Sequence, residues 1–305
     1  MPEITGIGAN VFDTLVKVPF FPKEDTKLCV ETVRTSGGGP VGTGLAAASK
    51  LGASAAVIAV LSTDPEGTFL RNDLEKYGVD TSLAEFRDGK SFSATVLLNC
   101  ATGSRTCLLD RGTLPKLTLT DAHLTAIRSS RVFMADGNEL DAAVEAAKEA
   151  RKAGVHVLYD AGGLYPGVER LLPYADILIP SAEFACGSTK KERIEDAVQD
   201  LFSRFSPQVA VVTDGANGGI LFDGNELRRY PAFPVQAVDS NGAGDVFHGA
   251  FAFALTRGWD FYRCAVFSSA VSALKCTKIG ARAAVPSLEE VRAFLQERGW
   301  GIEGW

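Results

Sequence analysis

The residues with the clearest chemistry lie in the heptad Asp239–Asp245, where Gly242, Ala243 and Gly244 precede an aspartate and lead into an apolar, helix-compatible run. Small residues let a ligand approach the main chain closely, and the N–H groups at a helix N-terminus attract an anion. Asp245 falls in the first turn, where its carboxylate can accept a proton from a hydroxyl. The heptad therefore predicts a phosphate cradle with a catalytic base beside it.

A second glycine-rich loop follows a strand-like run in the segment Val211–Gly219. This loop suits the phosphates or ribose of a nucleotide, and the segments Ala270–Lys275 and Gly280–Arg282 are candidates for the walls of an adenine pocket. A Gly-Ala-Gly-Asp string alone is often only a turn. The second glycine-rich loop and the two candidate wall segments are what favour a catalytic site. The sequence has no P-loop motif, and Gly6–Val11 begins like a dinucleotide fingerprint but lacks its third glycine.

The elements that must position these residues alternate between strand and helix from about residue 131 onward. The predicted strands are Val132–Ala135, Val155–Asp160, Ile177–Ile179, Val209–Thr213 and Gly219–Phe222. The predicted helices are Leu140–Ala153, Arg193–Phe205, Ala243–Leu255, Tyr262–Lys275 and Leu288–Arg298. Such alternation predicts an α/β fold with a mainly parallel sheet covered on both faces.

The first half of the chain contains segments of two kinds. A strand at Ile4–Asn10, a helix at Val41–Lys50, a strand at Ala55–Leu61 and a helix at Gly67–Tyr77 extend the same pattern. The segments near residues 13–36 and 90–112 instead carry alternating strand patterns that do not fit the parallel sheet. We expect them to form a small β-sheet lid.

Composition limits the classes of function. The 305 residues are 46% hydrophobic and 22% charged with a net charge of −6, which argues against a nucleic-acid binder. An apolar run of membrane-spanning length and a secretory leader pattern are both missing, so we expect no membrane association. Six cysteines without a Cys-x-x-Cys pair favour a reducing, cytoplasmic location. With only three histidines in the sequence, a zinc site of histidine and cysteine ligands is not expected.

Two separated signatures give the chain a resemblance to the ribokinase/PfkB family of carbohydrate kinases over nearly its whole length. The first is the glycine signature Gly38–Gly44 running on to Leu51 and Gly52, and the second is the heptad Asp239–Asp245, with Ser240 where the family has threonine. The resemblance implies one ribokinase-like kinase domain over 1–305, folded as a three-layer α/β sandwich with a β-lid over the sugar. It also implies ATP with Mg²⁺, frequent activation by K⁺, and a homodimer formed lid to lid.

The resemblance also assigns roles by position. Asp245 resembles the base that deprotonates the acceptor hydroxyl, and Gly242, Ala243 and Gly244 resemble the anion hole. The substrate-binding candidates are Asn10, Asp13, Lys27, Gly38, Gly39, Thr43 and Arg105. The cofactor-binding candidates are Thr213, Gly215, Gly218, Asn241, Ala273 and Gly280. The metal candidates are Asp239, which matches a residue near the monovalent cation, and Glu183.

Departures from the family pattern concern the substrate and the metal. Thr43 stands where many members have an asparagine that touches substrate, so the sugar stays open. The Asn-x-x-Glu motif tied to Mg²⁺ is not intact, because Ser181 and Phe184 fall on its two positions and Glu183 comes one place early.

Three further segments, Gly37–Pro40, Asp245–Ala250 and Ala273–Thr277, are most similar to the branch that contains sulfofructose kinase. Lys27 matches a lid lysine of that branch, which could hold an anionic group on the sugar, but Asn138 replaces the basic residue that grips the sulfonate. Arg105 and Arg111 are other cations, which leaves a phosphosugar open.

Two other functions remain open at this level. A nucleoside kinase of the same fold would need an aromatic base pocket, for which Phe12, Phe20 and Phe21 are candidates. A catalytically silent sugar or nucleotide sensor would have no need of Asp245. His248 lies on the same helix face as Asp245 and is interpreted as a packed core histidine.

Overall fold

The large sheet has nine strands in the order β15-β14-β13-β12-β11-β10-β1-β4-β6. The strands are β1 Ile4–Ile7, β4 Ala55–Val57, β6 Val79–Asp80, β10 Val132–Ala135, β11 His156–Ala161, β12 Ile177–Pro180, β13 Val209–Thr213, β14 Gly219–Phe222 and β15 Leu227–Tyr230. All neighbours pair in parallel except β13-β14 and β14-β15. The computed structural model describes residues 1–102 and 104–301; residue 103 of the predicted lid segment and residues 302–305 of the predicted domain lie outside these ranges.

Helices cover both faces of this sheet. They are α1 Pro40–Lys50, α2 Pro65–Lys76, α3 Asp121–Ser129, α4 Leu140–Lys152, α5 Ala182–Thr189, α6 Ile194–Phe205, α7 Ala243–Thr256, α8 Phe261–Cys276 and α9 Leu288–Glu297. One buried cluster joins α1, α2, α7, α8 and α9 to one face, and a second joins α3, α4, α5 and α6 to the other. Because side chains alternate along each strand, Val132 and Met134 enter the first cluster while Phe133 and Ala135 enter the second. The predicted three-layer α/β sandwich is confirmed.

A separate four-stranded sheet contains β2 Val11–Val18, β3 Thr32–Gly38, β8 Ser93–Asn99 and β9 Arg105–Asp110, in the order β3-β2-β8-β9. The two alternating segments that the sequence sets apart from the parallel sheet therefore form a small sheet, as predicted. The predicted strand Ala55–Leu61 is divided, because β4 ends at Val57 and β5, Val60–Ser62, pairs instead with β7, Glu85–Arg87. No helix of the described residues is long and apolar enough to cross a bilayer.

Helices α1 and α7 cross with their main chains in contact. A Cβ built at Gly249 would lie 2.0 Å from the carbonyl oxygen of Gly44, so a side chain there would force the helices apart. The two glycine signatures start these two helices, and the close crossing brings their N-terminal ends to the same edge of the sheet. Parallel strands β1, β10 and β11 end at this edge, where α/β proteins bind ligands.

Candidate active site

The loop before α7 is fixed by the carboxylate of Asp239. Its Oδ1 accepts a hydrogen bond from the N–H of Asn241 and its Oδ2 from the N–H of Gly280, both at 2.8 Å. Gly242 follows in the left-handed conformation with φ of 73°, and no side chain caps the helix N-terminus. A Cβ built at Gly244 meets no atom within 4 Å, so the first turn of α7 faces open space. This geometry can receive an anion.

Asp245 lies half-buried in that first turn. Burial and the like charges of Asp160 and Asp136 raise its pKa to about 6, while His248 and Arg105 act in the opposite direction. A base whose pKa lies near ambient pH can both take and release a proton during turnover. The position and the pKa of Asp245 therefore suit general base catalysis.

Two aspartates that the sequence analysis missed lie beside Asp245. Asp136 follows β10 and Asp160 belongs to β11, and both side chains are buried at the carboxyl ends of neighbouring parallel strands. Asp136 Oδ2 accepts the N–H of Ala9 at 2.9 Å and that of Val41 at 3.2 Å, so it ties β1 to the start of α1. An acidic residue at the end of each buried apolar strand was the signal in the sequence.

His248 is buried, and each of its ring nitrogens faces an oxygen atom. Nδ1 lies 2.6 Å from Gly244 O and 3.1 Å from Asp160 Oδ2, and Nε2 lies 3.0 Å from Ile179 O. Burial lowers the pKa of His248, and burial raises the pKa of Asp160 well above its ordinary value. His248 thus packs in the interior and also connects β12 to the turn that carries Asp245.

The substrate candidates Asn10, Asp13, Gly38, Gly39 and Thr43 lie where the small sheet meets α1. A Cβ at Gly38 would come 2.1 Å from Asp13 Oδ2, and a Cβ at Gly39, whose φ is 93°, would come 2.0 Å from Ala9 O. Burial raises the pKa of Asp13 to about 7, with Arg282 lowering it and Asp245 raising it. Asn10 Oδ1 and Thr43 Oγ1 are buried without a hydrogen-bond partner.

Arg282 is a buried cation that the sequence analysis placed only in an adenine wall. Its guanidinium donates to Asp73 Oδ2 at 2.8 Å and to the carbonyl oxygen of Gly38 at 2.7 Å. Only 2% of the residue is exposed, so the pair is shielded from water. Arg282 therefore supports the end of β3 beneath Asp13.

A cavity of about 580 Å³ opens on the other side of the α7 N-terminus. Its lining includes the cofactor candidates Thr213, Gly215, Gly218 and Ala273, together with Gly244 of the cradle. The other two candidates lie outside it: Asn241 lines a second cavity under the small sheet, and Gly280 donates to Asp239. The large cavity has apolar walls and one polar end at the cradle, as a nucleotide base and its phosphates require.

The small sheet brings only some of its predicted cations to the site. Arg105 of β9 lines a cavity of about 320 Å³ with Lys17 and the loop Ala237–Asn241, and its charge acts on Asp245. Arg111 donates to Asn138 Oδ1 at 2.8 Å, and Asn138 in turn donates to Asp136 Oδ1 at 3.0 Å. Lys27 is exposed in the connection between β2 and β3.

Glu183 is exposed in the first turn of α5, where Ser181 caps the helix by accepting from the N–H of Phe184 at 3.1 Å. Ser181 also forms a β-bridge with Thr213, a residue that lines the large cavity. The described residues contain no group of three or more potential metal ligands. A single exposed carboxylate such as that of Glu183 is the kind of protein donor that would suit an Mg²⁺ held chiefly by phosphates and water.

An α/β sandwich with an anion cradle, a raised-pKa carboxylate and an adjoining cavity defines a phosphotransferase that uses a hydroxyl acceptor. Residues 1–288 match the model of the pfkB family carbohydrate kinases, and the chain belongs to that family. It is 26% identical to ribokinase of Haemophilus influenzae, covering 96% of this chain and 98% of that protein. It is 28% identical to an ATP-dependent ribose-1-phosphate kinase of Halopiger xanaduensis, covering 98% and 99%.

Solved structures agree with these relatives. The structure of Arabidopsis thaliana ribokinase complexed with ribose and ATP superposes with a TM-score of 0.87 at 26% identity, covering 97% of this chain and 99% of that one. The protein is therefore an ATP-dependent sugar kinase, as the two signatures predict.

Proposed function

We propose that this kinase transfers the γ-phosphoryl group of ATP to a hydroxyl of a small sugar bound between Asp13 and Asp245. The observation that carries the proposal is that the charge of Asp245, from α7, reaches Asp13 of the small sheet. Asp245 raises the pKa of Asp13, which reaches about 7, and the pKa of Asp245 itself is about 6. One carboxylate can orient the sugar while the other accepts the proton of the reacting hydroxyl.

The phosphoryl group in transit would lie against the first turn of α7. The N–H groups of Gly242, Ala243 and Gly244 stabilise charge on its oxygens, as an anion hole does. Arg105 contributes a positive charge from the small sheet, across a smaller cavity that shares Ala237 and Ser240 with the large one. The large cavity would hold the nucleotide through Thr213, Gly215, Gly218 and Ala273. Glu183 is the carboxylate that would help to hold Mg²⁺, which would neutralise charge on the phosphates.

The sugar satisfies polar atoms that the protein leaves without a partner. Asn10 Oδ1 is buried without a hydrogen bond, and a sugar hydroxyl is a suitable donor for it. Gly38 and Gly39 lie close to Asp13 and Ala9, which leaves no room for side chains beside the bound sugar. Thr43 Oγ1, in α1, is also buried without a hydrogen bond and is a further candidate partner for a sugar hydroxyl.

A sugar bearing an anionic group is a second candidate, favoured by the contact of Arg111 with Asn138. The guanidinium of Arg111 also stacks near the rings of Phe92 and Tyr165, at 5.0 and 6.0 Å from their centroids. Arg111 therefore places a cation beside Asn138, the position at which the sulfofructose kinase branch has a basic residue. Of the aromatic candidates for a nucleoside base, Phe12 packs edge-to-face on Phe69 with centroids 5.1 Å apart, whereas Phe20 is 55% exposed.

We further propose that residues 1–305 form one kinase domain, with lid segments near 13–36 and 90–112, and that two lids associate in a homodimer. Every residue of β9 is exposed, and Leu108 and Leu109 are 57% and 52% exposed on its two faces. Exposed apolar residues on an edge strand are typical of an interface.

A cytoplasmic location is supported by the six cysteines, all of which are unpaired.

Coupled ADP release against ribose, ketoses, deoxy-ketogluconate, their phosphates and nucleosides tests the acceptor class. We expect stimulation by a small sugar or its phosphate and none by nucleosides. Failure of all sugars and phosphosugars would contradict the proposal.

Light scattering tests the dimer: Leu108→Asp should give a monomer, whereas Leu164→Asp, at an equally exposed leucine outside the small sheet, should not. A monomeric wild-type protein would contradict the interface.

A further inference from the structure

Lys275 carries an amine into the interior of the protein. It lies in the last turn of α8, and none of its surface is exposed. An ammonium group taken out of water needs compensating partners, because desolvation of a charge is costly. The contacts of this buried lysine beside the catalytic loop must therefore offset the cost of removing its charge from water.

Its partner is Asp239, at the start of the catalytic loop. Nζ donates to the carbonyl oxygen of Asp239 at 2.7 Å and lies 4.0 Å from its Oδ1. The same Oδ1 accepts the N–H of Asn241, one residue before the anion cradle. The loop is also held by Cys276, whose carbonyl oxygen accepts from Val238 at 2.7 Å and from Asp239 at 3.1 Å. The last turn of α8 thus holds both the main chain and the carboxylate of Asp239.

The place beside Asp239 does not fit a diffusible monovalent cation. The resemblance to the family links Asp239 with K⁺, which would bind a carbonyl and a carboxylate oxygen there, but the ammonium of Lys275 already lies beside both oxygens and would repel a second cation. Here the carbonyl oxygen binds Nζ, and both carboxylate oxygens accept main-chain N–H groups. A tethered ammonium has the same charge as K⁺ and likewise binds oxygen atoms, so it can replace the ion.

We propose that Lys275 is a positioning residue whose ammonium serves as a built-in monovalent cation for the anion-cradle loop, so that the kinase needs no K⁺. It contacts neither nucleotide nor sugar. It balances the charge of Asp239 and fixes the turn from which Gly242–Gly244 present their N–H groups. The proposal rests on ATP-dependent phosphoryl transfer and not on which sugar is the acceptor.

Burial and the nearest negative charges act on Lys275 in opposite directions. Burial lowers the pKa of Lys275, but Asp239, Cys276 and Asp245 oppose this change, whereas Arg105 adds to it. The carboxylate of Asp239 is the first of these partners and is itself buried. The charged lysine and Asp239 therefore form one compensated unit below the cradle.

The affinity for ATP, measured by calorimetry without any sugar, tests the proposal. We expect wild-type affinity to agree within about twofold between KCl and tetramethylammonium chloride at equal ionic strength. Lys275→Ala opens a space beside Asp239, and its affinity should fall by about tenfold or more in tetramethylammonium and recover in KCl. Lys275→Met fills the space without charge, so its loss should persist in both salts. Lys278→Ala, at an exposed lysine paired with Glu290 at 2.9 Å, should match the wild-type protein.

If K⁺ but not tetramethylammonium restores the ATP affinity of Lys275→Ala, the variant has lost a cation and not only packing. Unfolding temperature, which needs no nucleotide, should show the same K⁺-specific gain in Lys275→Ala and none in the wild-type protein. A wild-type protein whose ATP affinity or unfolding temperature rises specifically with K⁺ would overturn the proposal, as would a Lys275→Ala variant that K⁺ does not restore. Inactivity on every sugar would instead contradict the proposed acceptor and leave these measurements intact.

Discussion

Nδ1 of His248 lies 3.1 Å from Oδ2 of Asp160, and this buried pair lies behind the turn that carries Asp245. Asp160 raises the pKa of the catalytic carboxylate and His248 lowers it. The proton affinity of Asp245 is thus set by residues of β11 and α7 that do not belong to either sequence signature. Both elements must therefore be in place before the base has its working pKa.

Replacing Asp160 with asparagine should move the acidic limb of the kcat/KM profile to lower pH. Asp245 must be deprotonated to act, so the wild-type rate should fall as the pH drops through about 6, the pKa of this carboxylate. Any negative charge on Asp160 raises the pKa of Asp245, and Asp160→Asn removes it, so Asp245 should lose its proton at a lower pH. Asp223→Asn, in the turn between β14 and β15, serves as the control and should leave the profile unchanged. An unmoved limb in Asp160→Asn would contradict the coupling.

Asp245→Asn should bind ATP normally and lose turnover by a factor of about 10² to 10⁴, the usual contribution of a positioned base. The amide keeps the shape of the side chain and cannot accept the proton. Calorimetry of ATP binding and a coupled assay of ADP release measure the two quantities separately. Turnover within about tenfold of wild type would remove Asp245 from the role of base.

The two signatures were readable from the sequence because each is local. A glycine-rich turn that starts a helix needs no partner to be recognised, so Asp245, Gly38 and the loop at Thr213 could be found directly. Asp136 and Asp160 gave only the weak signal of an acidic residue at a strand end. Their roles, like that of Lys275, depend on which strands and helices become neighbours. The division of Ala55–Leu61 has the same origin, since a continuous apolar run does not show that β5 leaves the large sheet to pair with β7.

Arg111 and Lys27 are the two cations to compare for an anionic sugar. Arg111→Met should raise KM for a phosphosugar by about tenfold or more and leave KM for a neutral sugar unchanged, because Arg111 is held at Asn138 beside Asp136. Lys27→Met removes an exposed charge of the β2–β3 connection and should have the smaller effect. Steady-state kinetics on a neutral sugar and its phosphate give both values. Equal effects of Arg111→Met on the two substrates would exclude an anion contact.

Arg282→Met should destabilise the fold by about 3–5 kcal/mol, because it leaves Asp73 and the carbonyl oxygen of Gly38 without their buried partner. The matched control is Arg170→Met, which breaks an ion pair of the same 2.8 Å length to Asp141. Since both of those side chains are more than half exposed, its loss should cost about 1 kcal/mol or less. Urea unfolding measures both. Similar small losses in the two variants would show that Arg282 does not support the end of β3, and with it the position of Asp13.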